Sequence, residues 1–172
     1  MQKYRILIVE DEIDLADSLK QLLVDSYSHI DIAMNGQEAL SHLEKESYDL
    51  IISDILMPVM SGHELIRSLR LKGIQTPVIF MTGNGTKDLV QSAIKLGAVD
   101  FIDKPVTIAL LKEVIASNLE IEQHKKNILD LQRDSVPDQD LIRNEEMALG
   151  IKHRISSWPD ITGIKMSEII RS

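Results

Sequence analysis

Residues 78–102, VIFMTGNGTKDLVQSAIKLGAVDFI, decide the fold. Val78–Met81 is an apolar run too short for a helix, and it ends at Thr82 and Gly83. Leu89, Ala93, Ile94 and Leu96 then recur at helical spacing. Gly97 stands where a helix C-cap belongs, and a second apolar run, Val99–Ile102, follows almost at once. Two strands joined through a helix lie parallel, with a right-handed crossover.

The same unit recurs on the N-terminal side. Arg5–Val9, Ile30–Met34 and Leu50–Ser53 are further short apolar runs. Leu15, Leu19, Leu22 and Leu23 follow one helical face, as do Ala39, Leu40 and Leu43, then Leu65, Ile66 and Leu69. Ser61 is placed to cap the third helix, with Gly62 permitting a tight turn there, and Gly73 is placed to end it. Leu110, Leu111, Val114, Ile115 and Leu119 form the fifth helical set. Strict strand–helix alternation predicts an α/β fold with a five-stranded parallel sheet, doubly wound and flavodoxin-like, of order 2-1-3-4-5.

Composition narrows the function classes. The chain has 172 residues, no cysteine and a net charge of −8. Disulfides and thiolate metal sites are excluded, and a reducing cytoplasm is the expected compartment. No run approaches the ~18 apolar residues that span a bilayer, and the short run Ile6–Val9 is no signal peptide. An acidic chain without a basic block is not expected to bind nucleic acid directly, because such binding rests on neutralising phosphates. Protein partners and a cation fit the charge better.

In open α/β sheets, function gathers beyond the carboxyl ends of the strands. There the sequence sets Glu10, Asp11 and Glu12 after strand 1, Asp54 after strand 3, Thr82 after strand 4, and Asp103, Lys104 and Pro105 after strand 5. One acid at a strand end is commonly a solvated loop residue, and a lone lysine likewise. Converging acids are different, since two like charges ~4 Å apart repel by roughly 4 kcal/mol at an effective dielectric of 20. Lys104 offsets one charge and a divalent cation would offset the others. Magnesium suits such a site, because it accepts one or two carboxylates and prefers phosphate oxygens.

Four blocks, ILIVEDE, IISDILMPVMSG, VIFMTG and GAVDFIDKP, resemble in order and spacing the signatures of the two-component response-regulator receiver domain. The resemblance covers about residues 3–120. It implies that Asp54 accepts a phosphoryl group from a histidine kinase or phosphotransfer protein. It implies a Mg2+ ion held by Glu10, Asp11, Asp54 and the backbone carbonyl of Leu56. Lys104 and Thr82 would contact phosphoryl oxygens, Pro105 would follow a cis peptide, and Phe101 would act as an aromatic switch for the surface of helix 4, strand 5 and helix 5. Taken alone, Thr82 reads equally as a strand-end residue before Gly83, and Phe101 as plain core. Two departures stand out. Glu10 replaces the aspartate often found first in the acidic pair. Helix 5 has no arginine from Val106 through Gln132, a departure that counts against the salt-bridged dimer used by many transcriptional members of the family.

Residues 1–120 are thus expected to form the receiver and 121–172 a helical extension serving as coiled coil, linker or truncated effector. One heptad frame puts Leu111, Asn118 and Lys125 at a, and Val114, Ile121 and Ile128 at d, with Asn118 setting register in a parallel dimer. The alternative is an overshooting helix 5. A second helix is expected from about Asp138 to Ser156, ahead of Trp158, with Lys152, His153 and Arg154 as a solvated face. The outputs consistent with the sequence are a switched protein-interaction surface, a phosphorylation-dependent homodimer, regulation of a longer effector, or a phosphorylation-independent interaction module. The downstream target is not legible, and no catalytic turnover of an external substrate is expected.

Overall fold

The computed structural model describes residues 2–83 and 87–133. The elements alternate as β1 (Gln2–Val9), α1 (Ile13–Leu23), β2 (Tyr27–Ala33), α2 (Gly36–Leu43), β3 (Leu50–Asp54), α3 (Gly62–Leu71), β4 (Val78–Thr82), α4 (Lys87–Lys95), β5 (Asp100–Asp103) and α5 (Ile108–Arg133). All strand pairs are parallel, and the order is β2-β1-β3-β4-β5, as predicted.

The sheet is apolar on both faces because helices cover both. Successive residues of β1 point to opposite sides. Ile6 and Ile8 join Leu19, Leu23, Leu111 and Ile115 in one core, under α1 and α5. Leu7 and Val9 join Leu40, Leu65, Leu69 and Phe80 in the other, under α2 and α3. Ala93, the one member of the fourth helical set that is fully buried among the described side chains, belongs to this second core; the side chain of Leu89 lies outside the described residues.

Local chemistry fixes the helix ends. Asn35 accepts from the amides of Gln37 and Glu38 at the start of α2. Ser61 and Glu64 form a reciprocal capping box at the start of α3, as the position of Ser61 predicts. Gly73 and Gly97 end their helices at φ 75° and 86°, a conformation glycine adopts without a Cβ penalty.

The helix that begins at Ile108 does run on past residue 120, to Arg133. Its early frame positions, however, face the receiver itself. Leu111 and Val114 are buried, and Asn118 is only 7% exposed. The Asn118 amide donates to Asp100 Oδ2 at 3.1 Å and to the Val114 carbonyl at 2.9 Å. Asn118 is therefore spent on β5 and α5 and is not presented to a dimer partner. Farther along, Lys126 reaches Asp49 at the start of β3, 3.3 Å away. The expected helix over 138–156, the basic trio Lys152, His153 and Arg154, and Trp158 lie outside the described residues.

Candidate functional site

Strand ends bring the predicted residues together. Glu10 follows β1, and its amide donates to the Ala33 carbonyl of β2 at 3.0 Å, which holds it just past the carboxyl end of β1. Asp54 is the last residue of β3 and Thr82, buried, the last of β4. Lys104 follows β5, its amide donating to the Thr82 carbonyl at 2.7 Å, and the Lys104–Pro105 peptide is cis.

Lys104 Nζ lies between two carboxylates. It donates to Glu10 Oε2 at 2.8 Å and also to Asp54 Oδ2. The other Asp54 oxygen, Oδ1, accepts the Leu56 amide at 3.1 Å. Glu10 is fully buried, and its Oε1 has no hydrogen-bond partner. A buried acceptor left unsatisfied costs about 1–3 kcal/mol and calls for an explanation. Asp11 stands exposed at the mouth, and ligand oxygens of Glu10, Asp11 and Asp54 all lie within 4.8 Å of one another.

The electrostatics follow from this crowding. Burial pushes the Glu10 carboxyl above the ordinary carboxylate range, against the downward pull of Lys104. Burial pulls the Lys104 ammonium down, but its bonds to Asp54 and Glu10 outweigh that and leave it raised. Lysine neutralises one of the three acids; the orphaned Glu10 Oε1 and the all-oxygen donor set fit a hard divalent cation such as magnesium.

Three neighbours of Asp54 carry roles that the sequence did not reveal. Ser53, fully buried, donates through Oγ to the Asp54 carbonyl at 2.7 Å; a hydroxyl inside the run Leu50–Ser53 was its only signal. Gly62 is needed for space and not for a turn. A Cβ there would stand 2.3 Å from the Asp54 carbonyl oxygen, so α3 begins against the backbone of Asp54. Phe80 lies under that glycine. Phe101 is half-buried, with its ring centroid 5.7 Å from that of Phe80.

The family model of the response regulator receiver domain matches residues 6–116. The chain belongs to that family. The receiver is 38% identical over 102 residues to the transcriptional regulatory protein DltR of Streptococcus agalactiae, covering 59% of this chain and 45% of that protein. It is 38% identical over 144 residues to a protein of Vibrio cholerae named "Probable cyclic di-GMP phosphodiesterase", covering 83% of this chain and 32% of that protein. The chain thus spans less than half the length of these two relatives. Among solved structures it resembles a CheY-like response regulator receiver domain protein from Methanospirillum hungatei, with a TM-score of 0.67 and 33% identity, covering 73% of this chain and 99% of that one. Among the described residues, no helix is long and apolar enough to cross a membrane.

Proposed function

We propose that this receiver is a phospho-accepting switch, in which Asp54 takes a phosphoryl group from a histidine kinase or phosphotransfer protein. The observation that carries this is the position of Lys104 Nζ between Glu10 and Asp54, beside a buried Glu10 oxygen without a partner. A carboxylate oxygen of Asp54 attacks phosphorus, the bond from phosphorus to the donor nitrogen breaks, and the leaving imidazole keeps that electron pair. Lys104 meets a phosphoryl oxygen, and the Leu56 amide fixes the Asp54 carboxylate through Oδ1. Glu10, Asp11, Asp54 and the Leu56 carbonyl would hold Mg2+, which when bound neutralises charge on the transferring group. Thr82, buried beside Lys104, would turn its hydroxyl to the phosphoryl group.

The output is a change of surface at α4, β5 and α5, reached when Thr82 and Phe101 shift packing together. The protein assists its own phosphorylation and dephosphorylation and turns over no external substrate. Its Asp54→Asn variant is expected to take up no phosphoryl group from acetyl phosphate or phosphoramidate with Mg2+; labelling that persists would sink the assignment. Light scattering with and without beryllofluoride tests whether activation also makes a homodimer.

A second reading has its own support. The similarity to the Vibrio cholerae protein extends over 144 residues, well past the receiver, yet covers a third of that protein. In that reading the chain is the amino-terminal regulatory part of a longer effector. A phosphorylation-independent interaction module would instead leave Asp54 inert in the donor assay.

A further inference from the structure

Both phenylalanines of the chain sit in one contact. Phe80, on β4, is fully buried, and its ring lies at a tilt of 38° to that of Phe101 on β5. On another side His63, from the first turn of α3, stacks on Phe80 with centroids 5.6 Å apart and planes 18° from parallel. The ring also presses on Gly62: a Cβ there would stand 2.6 Å from Phe80 Cε1, 3.1 Å from Ser53 Oγ and 2.3 Å from the Asp54 carbonyl oxygen. The Gly62 amide in turn donates to the Ile55 carbonyl at 2.9 Å. Phe101, Phe80, Gly62 and the backbone of Asp54 therefore form one unbroken line of packed atoms.

We propose that Phe80 is a positioning residue that couples the ring of Phe101 to the backbone of Asp54, through Gly62. Interiors are packed as tightly as organic crystals, so a large ring cannot turn without its neighbours giving way. When Phe101 swings, Phe80 loses or gains a wall. Phe80 lies against His63 and Gly62 on these sides, and between Phe80 and the Asp54 carbonyl position 62 has no room even for a Cβ. The line does not include the Thr82 hydroxyl, and so supplies a second route between Asp54 and the output surface. The coupling rests on Phe101 responding to phosphorylation, as proposed above, and the test separates the two.

Because the chain has two phenylalanines, incorporation of 4-fluorophenylalanine into the full chain gives two 19F resonances. Each is assigned by its absence from Phe80→Leu or Phe101→Leu. Spectra are recorded with Mg2+, with and without beryllofluoride, whose own bound fluorine signal reports that it has bound. Both ring resonances are expected to shift in the wild type. In Phe80→Leu the Phe101 shift is expected to fall by roughly half while the mimic still binds, the scale of effect that a residue within a coupling network produces. A Phe101 resonance that moves alone overturns the coupling and leaves the switch standing. If neither moves while the mimic is bound, the switch reading itself falls, and the coupling with it. Should Phe80→Leu fail to fold, the wild-type pair of resonances decides.

Discussion

Val59 is, among the described residues, the only one other than glycine with a positive φ, 67°. The Met60 amide closes back on the Pro58 carbonyl at 2.7 Å, so Val59 is the centre of a tight γ-turn of the strained hand. Its side chain is 83% exposed and gains little from packing in return. For a β-branched residue this conformation costs of order 1–3 kcal/mol. Val59→Gly is expected to raise stability by about 1 kcal/mol, once glycine's larger unfolded-state entropy is subtracted. Urea unfolding checks it, and a lowered midpoint would mean that the turn is not strained. Neither this strain nor the role of Gly62 is legible in MPVMSG read as a string. A loop residue's φ, and the 2.3 Å that excludes a Cβ at position 62, depend on how the loop closes over the end of β3.

At the scale of elements, β5 and α5 are joined by a polar pin set in an apolar seam. Asp100 accepts the Phe101 amide at 2.8 Å and the Asn118 amide at 3.1 Å. Burial pushes the Asp100 carboxyl up, with those two bonds opposing. The folded state therefore holds this proton more tightly than the unfolded chain does. Stability contributed here falls as pH rises from the ordinary aspartate range through the raised folded value. Asn118→Leu removes one of the two opposing bonds and is expected to cost about 1–3 kcal/mol at neutral pH. The deficit should shrink in acid, where Asp100 is protonated; a deficit independent of pH would point to packing instead. The residue's position on α5 was legible, but its partner was not. Leu111, Val114 and Asn118 satisfy a heptad seam and an amphipathic face equally over so few turns, and only the sheet beneath α5 decides between them.

For the molecule as a whole, alternating strands and helices made the sheet order legible, and the sheet order made the site legible. Glu10, Asp54, Thr82 and Lys104 needed only to stand at the ends of β1, β3, β4 and β5 to converge. Ser53 and Phe80 were not legible, because an apolar strand says nothing about which of its residues packs toward Asp54. Gathered acids beside a single lysine should make the fold respond to magnesium, since a ligand that binds only the folded state stabilises it. At a magnesium concentration of roughly ten times the dissociation constant the gain is about 1.4 kcal/mol, read as a rise in thermal midpoint over the protein in chelator. Protons compete for Glu10, whose folded carboxyl is raised, so the rise should grow as pH climbs through that range and vanish in acid. Asp11→Asn should abolish most of it. An equal midpoint with and without magnesium at neutral pH would remove the cation from the account.

Every step proposed for this site depends on Asp54 carrying the phosphoryl group. That role is tested by chemical trapping: the 172-residue chain is incubated with acetyl phosphate and Mg2+, then reduced with borohydride, which converts an aspartyl phosphate to homoserine, and the peptides are mapped by mass spectrometry. Homoserine at position 54 in the wild type, absent without the phosphodonor, is the predicted result. Homoserine at another aspartate, or none at all after incubation with donor and magnesium, would contradict it.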